Sequence, residues 1–274
     1  MTGYRCGVTG NHSDLPKLPL RLSPLQILGL QDPDEGDWGR LRALQHGKLH
    51  QVVLTRAVAH AVASAPAEQL VHITGPDVPL PERGTVTVIG PGTGLGVAHF
   101  HRFPGGYHVT STEGGHIEFA PLDAIDDWML ARLRGQHLRV STERVHSGPG
   151  IVEIYQALAA HEHRPAEPLD DRTIWERGIA REDALAAAAV DRFCHSLGSL
   201  VGDYALAHGA SAVVLAGGIG FKLRELLPRS AFGDRFRFKG RYTQMMAGIP
   251  VKLIVHPQPG LYGAAAAFQL EHLR

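Results

Sequence analysis

Gly84-Thr-Val-Thr-Val-Ile-Gly-Pro-Gly-Thr-Gly-Leu-Gly96 runs β-branched residues directly into four glycines spaced two apart. Thr, Val and Ile suit a pleated, half-buried surface, so Thr85–Ile89 predicts a strand. Glycine permits close approach and unusual dihedrals, so Gly90–Gly96 predicts a turn at the strand's end. Successive amides exposed in such a turn can cradle an anionic phosphate. The turn lacks the Gly-Lys-Ser/Thr ending of a P-loop and does not match the dinucleotide fingerprint followed by a clear helix. Alone, it reads equally well as a bare glycine turn between strands.

Working outward, Val97–Phe100 and Gly106–Val109 suggest a return strand pair. Leu122–Leu133 carries apolar residues at Leu122, Ile125, Met129, Leu130 and Leu133, the spacing of an amphipathic helix. Gly150–Ala160 predicts another helix, opening after a Ser147-Gly-Pro-Gly turn whose serine can accept from free amides. Asp170–Glu176 reads as a polar connection. Arg181–His208 is the longest helical stretch, with Gly198, Ser199 and Gly202 where another backbone can pack closely. Ala212–Ala216 predicts a strand ending in Gly217-Gly218, Phe221–Leu227 a helix, Pro250–Val255 a last strand and Leu261–Leu273 a last helix. Upstream, Leu70–Thr74 reads as a strand and Ala57–Ala65 as an alanine-rich helix ending at Pro66. Gln51–Leu54 suggests a short strand and Arg40–Leu44 a short helix. Before these, Asp14-Leu-Pro-Lys-Leu-Pro-Leu-Arg-Leu-Ser-Pro24 excludes a long helix or central strand. Strands alternating with helices of this length indicate an α/β protein.

With 274 residues the chain has material for a sizeable core, as one large domain or two unequal lobes. Its 27 basic and 27 acidic side chains balance, so bulk charge recommends neither nucleic acid nor an anionic membrane as partner. Two cysteines, Cys6 and Cys194, are too few for a disulfide framework or a paired zinc site. No apolar run approaches the ~20 residues of a membrane span. These features lead to the expectation of a cytoplasmic protein acting on small molecules.

Glu113-Gly-Gly-His116 places a carboxylate and an imidazole on a loop whose glycines leave space beside them. A carboxylate accepts from a hydroxyl, and neutral imidazole both donates and accepts, so the pair suits polyol recognition. A metal site is a poorer reading, because no third ligand lies at a recognisable spacing. Glu143, before the Ser147-Gly-Pro-Gly turn, could converge on the same ligand, although an isolated glutamate is usually a solvated residue. Arg235, Arg237, Lys239 and Arg241 form a basic run that could meet phosphates or serve as a solvated face or crossover.

In order and spacing, five segments resemble the successive motifs of bacterial glucokinases: Val88–Ala98, Glu113–Pro121, Glu143–Gly150, Ala216–Ile219 and Ile254–Ala264. The resemblance covers roughly residues 57 to 274. It implies the actin-like, hexokinase-type ATPase fold, two α/β lobes with sugar held in the cleft between them. The implied division is a divergent remnant of the small lobe over 1–83, a large lobe with both sites over 84–256, and a C-terminal helix over 257–274 packing back toward the small lobe. The implied reaction moves the γ-phosphoryl group of Mg-ATP to the 6-hydroxyl of glucose, with positioning and charge neutralisation supplying most of the rate. By resemblance Glu113, His116 and Glu143 hold glucose, Gly92, Thr93, Gly94 and Gly96 lie at the ATP phosphates, and Gly217 and Gly218 border adenosine. Such kinases are often homodimers. The family's catalytic aspartate precedes an alanine-rich helix in an Asn-Asp-Phe-Glu sequence. Here Val53, Leu54, Thr55 and Arg56 stand before Ala57, and no Asp-x-Gly-Gly-Thr phosphate loop lies upstream. A catalytically inactive sugar-binding or regulatory homologue is therefore the alternative expectation.

Overall fold

The computed structural model describes residues 49–272, with side chains over 55–270. The expected short helix at 40–44 and the proline-rich segment before it lie outside the described residues. One six-stranded sheet organises the rest, in the order β1-β6-β5-β2-β3-β4. Its strands are β1 (Leu70–Thr74), β2 (Gly84–Pro91), β3 (Leu95–Phe103), β4 (Gly106–Thr112), β5 (Ala210–Leu215) and β6 (Val251–Ile254). β2, β3 and β4 form an antiparallel meander, as their short connections require, while β5 and β6 lie parallel beside β2 and β1 closes the edge antiparallel to β6.

Alternation along the strands sends side chains to two apolar layers. Val86, Val88, Ala98, Phe100, Ala212 and Val214 share one core with Ala59, Ala61 and Val62 of helix α1 (Leu49–Ser64). The C-terminal helix α9 (Pro259–His272) packs against α1 on this side. Ile89, Leu95, Val97, Val213, Leu215 and Leu253 face the larger core. There they meet the 24-residue helix α5 (Ala184–Ala207), whose Phe193, Leu197 and Val201 are fully buried. Helices α2 (Ala124–Arg134), α3 (Gly150–His161) and α4 (Asp171–Ala180) complete that layer. Short helices α6 (Gly217–Lys222), α7 (Phe232–Arg237) and α8 (Thr243–Ala247) connect β5 to β6.

Small residues in α5 act as anticipated. A Cβ on Gly198 would strike the Phe232 carbonyl and one on Gly202 the Phe236 carbonyl, so α7 lies directly on α5. Helix starts follow their aspartates: Asp123 accepts from Ile125 and Asp126 amides, Asp170 from Thr173, and Asp183 from Ala186. Ser147 accepts from Gly150 N at 3.2 Å and so opens α3.

Three expectations are corrected. Gln51–Leu54 is helical, part of α1, because the helix-favouring run that follows extends backward through it. Asp170–Glu176 is no connection: Asp170 caps α4, which buries Ile174 and Trp175 against α5. The helix placed over Phe221–Leu227 begins earlier, at Gly217, and ends at Lys222, followed by a single 3-10 turn at Leu227–Arg229.

Candidate active site

The β2–β3 hairpin ends in the glycine turn, with Gly90 opposite Gly96 and Pro91 opposite Leu95. Gly92 N donates to the Gly94 carbonyl at 2.8 Å, closing the turn. Four other segments meet this end of the hairpin. Leu95 N donates to Glu143 Oε2 at 2.8 Å, which brings the second carboxylate onto the turn. Gly148 N donates to the Gly92 carbonyl at 2.7 Å, attaching the Ser147-Gly-Pro-Gly segment. Gly115 packs on the Leu95 carbonyl without room for a Cβ. Gly217, at φ +83, packs equally closely on the Pro91 carbonyl, a dihedral and a contact that only glycine accommodates. Gly92 and Gly218 differ in facing open space: a Cβ on either would meet nothing within 4 Å.

Two short turns carry the polar side chains. Glu113 precedes a 3-10 turn at Gly114–His116, and its Oε2 lies 3.5 Å from His116 Nε2, with the side chains 47% and 36% exposed. Glu143 lies in a second 3-10 turn, Thr142–Arg144, and is only partly exposed. Backbone links join the two: Thr142 N donates to Ile117 O at 2.8 Å and Phe119 N to Val140 O at 3.0 Å. The structure thus gathers Glu113, His116, Glu143 and the glycines at positions 92, 94, 96 and 217 around one hairpin end. Gly218 follows at the first turn of α6, and Thr93 stands exposed at the hairpin's tip.

Further residues, most of them outside the motifs, hold this arrangement. Buried His146 lies under the Glu143 turn, with Nδ1 at 2.9 Å from Thr142 Oγ1 and Nε2 at 3.0 Å from Ser196 Oγ of α5. Burial pushes its pKa down to about 4, so the ring is neutral and both nitrogens serve as hydrogen-bonding groups. Trp175 Nε1 donates to the Gly148 carbonyl at 3.1 Å. Thr112 Oγ1 donates to Val97 O at 2.9 Å and accepts from Gly114 N at 3.1 Å, while the buried Tyr204 hydroxyl donates to Gly114 O. Thr55 of α1 packs its hydroxyl against Gly96. The contacts of His146 with Ser196, Trp175 with Gly148, Tyr204 with Gly114 and Thr55 with Gly96 had no local sequence signal, because those partners lie far apart along the chain.

The basic run takes a structural part. Lys239 Nζ reaches Asp203 Oδ1 and, at 2.9 Å, Ser199 O, Arg237 turns back to Gly233 O at 3.2 Å, and Arg235 and Arg241 lie over the Phe238 and Tyr242 rings. A separate, partly buried charge cluster ties α2 to α5, with Arg192 2.7 Å from Asp123 and 3.4 Å from Asp126. Asp126 is fully buried, and desolvation pushes its pKa up to about 6 despite Arg192. Among the described residues no group of three or more His, Cys, Asp or Glu is arranged to hold a metal ion, and no helix is long and apolar enough to cross a membrane.

A meander flanked by two parallel strands, with glycine loops collected at one end of its first strand, is the arrangement of the actin-like ATPase fold. In keeping with this, the crystal structure of glucokinase from an Antarctic psychrotroph matches with a TM-score of 0.72 at 36% identity, over 78% of this chain and 66% of that one. The family model described as Glucokinase matches residues 43–271. A glucokinase of Zymomonas mobilis subsp. mobilis is 56% identical over 212 residues, 77% of this chain and 65% of that protein. One from Caulobacter vibrioides is 41% identical over 198 residues, 71% of this chain and 60% of that protein. The chain belongs to the glucokinase family, and it spans less than two thirds of the length of these two curated relatives.

Proposed function

We propose that the chain phosphorylates glucose, using the γ-phosphoryl group of Mg-ATP and the 6-hydroxyl of the sugar. The observation that carries this reading is the convergence of Glu113, His116, Glu143 and the glycine segments on the Pro91–Leu95 end of one hairpin. Glu113, His116 and Glu143 would take the sugar hydroxyls, since a carboxylate can accept from several donors at once and neutral imidazole can donate or accept. Gly92, Thr93, Gly94 and Gly96 would lie at the phosphates and Gly217 and Gly218 at the adenosine. The open space at Gly92 and Gly218 fits a nucleotide that approaches the backbone closely. Mg²⁺ would arrive on the phosphates and neutralise their charge. Such an ion commonly adds one or two carboxylates, and Asp171 Oδ2 stands beside the turn, 3.6 Å from a Cβ built on Gly148.

Transfer also needs an acceptor for the hydroxyl proton. By resemblance it belongs at positions 53–56, which the fold places within α1 and where no carboxylate stands. Absence of a general base lowers rates by about 10²–10⁴, so we infer turnover slower than that of relatives with the aspartate. A two-lobed organisation, a homodimer and a cytoplasmic location belong to the same reading, the dimer being checked by analytical ultracentrifugation. The deciding experiment measures ADP release from Mg-ATP with and without glucose, beside calorimetric titration of glucose. Glucose-dependent release supports the kinase. Sugar binding without release would point to the inactive homologue, and absence of both would overturn the reading.

A further inference from the structure

The turn that presents Glu113 and His116 is built on a glycine, Gly114, held at both its amide and its carbonyl. Gly114 N donates to Thr112 Oγ1 at 3.1 Å, and that hydroxyl in turn donates to Val97 O of β3. At the other end the Gly114 carbonyl accepts from Ile117 N at 3.0 Å and from the hydroxyl of Tyr204. Tyr204 stands near the end of α5, is 6% exposed, and leaves no room for a Cβ on Gly114. Its ring is itself fixed. His208, one turn further on, lies 5.5 Å from it, packs its ring at a tilt 4.5 Å from His99 of β3 and pairs with Thr87 Oγ1 of β2 at 2.9 Å.

We propose that Tyr204 is a positioning residue for the sugar: its hydroxyl fixes the Gly114 carbonyl and, with Thr112 holding the Gly114 amide, sets the directions in which Glu113 and His116 leave the turn. The inference rests on the sugar-site reading above. A tyrosine suits the task because its ring packs as a phenylalanine would, while the hydroxyl adds one directed hydrogen bond to a carbonyl shielded from water.

Tyr204→Phe keeps the packing and removes only the tether. Hydrogen exchange across residues 113–118, measured without ligand, should speed up at His116 and Ile117, whose amides close the turn. Calorimetry should show glucose bound about 2- to 12-fold more weakly, the range given by one lost hydrogen bond, with affinity for a non-hydrolysable ATP analogue unchanged. Thr112→Val, which releases the amide side of the same glycine, should give the same exchange signature. Unchanged exchange in the turn overturns the tether. A lowered melting temperature with unchanged glucose affinity, or equal weakening of sugar and nucleotide, reduces Tyr204 to a packing residue and overturns its role. A wild-type chain that binds no glucose overturns the sugar-site reading itself, an outcome the ligand-free exchange data keep separate from failure of the tether.

Discussion

The two glutamates assigned to the sugar are held in opposite ways. Glu143 is partly buried and already engaged, its Oε2 accepting from Leu95 N, so the side chain is itself part of the hairpin end. Glu113 is nearly half exposed and lies beside His116, and its placement is fixed at the backbone, through Thr112 and Tyr204. The difference teaches that similar carboxylates in one site can carry different loads. Truncating the first should disturb fold and ligand together, whereas truncating the second should disturb the ligand alone.

Glu143→Ala is the largest expected break. It removes the acceptor of the Leu95 amide, and a hydrogen bond to a charged group contributes about 1.5–3 kcal/mol. A chain of this size should then melt several degrees lower, at roughly 2–4 °C per kcal/mol, and glucose binding should fall below detection in calorimetry. Glu143→Gln, which retains an acceptor oxygen, should recover most of the melting temperature and little of the sugar affinity. If both variants melt like the wild type, the Leu95 contact contributes nothing to stability and the contrast collapses.

Glu113→Ala should weaken glucose by about 10- to 150-fold, the loss of one charge-assisted hydrogen bond. An exposed surface side chain typically changes stability by no more than about 0.5 kcal/mol, so its thermal melt should overlay that of the wild type. A marked drop in melting temperature would mean that the Glu113–His116 contact at 3.5 Å supports the turn. Tyr204→Phe follows as a smaller effect on the same ligand, exerted from behind.

Legibility in the sequence divides along the same line. The strand at Thr85–Ile89, the glycine turn and the return strands could be read because β-branched runs and glycines act locally. Glu113, His116 and Glu143 came from motif order, and the fold brings their turns together. Helix α4 escaped because its polar first turn hid Ile174 and Trp175, although Asp170 offered a capping signal. Val52 and Val53 suggested a strand where the helical neighbours that follow prevailed. Tyr204 left no trace at all, since its partner Gly114 lies 90 positions away and only the packing of α5 on the sheet brings them together. What acts at short range was readable, and what supports the site from behind was not.

The smallest expected effect concerns acid, and it again separates the two turns. A neutral histidine backs each: His146 pairs with Thr142 and Ser196 beneath the Glu143 turn, and His208 pairs with Thr87 and packs on Tyr204 behind the Glu113 turn. Burial pushes both down to about 4, and burial, with the charge of nearby His108, also lowers His99, which packs at a tilt against His208. A histidine depressed in the fold contributes stability that is present above its unfolded value near 6.5 and is lost as pH falls toward 4. Asp126 works with the opposite sign. Raised to about 6, it favours the fold increasingly as pH drops from 6 toward the ordinary carboxylate value. His195 of α5 is lowered by burial as well, and these four histidines against one raised aspartate give a net loss, so thermal melts should fall by a few degrees between about pH 7 and pH 5. Replacing His208 with glutamine, which keeps a hydrogen-bonding group without the titration, should flatten that slope. Ligand-free exchange at Gly114–Ile117 should then stay slow in acid, while the slope contributed by His146 remains. Equal slopes in variant and wild type would show that His208 does not couple acid to the Tyr204 support, leaving the two turns alike in their response to pH.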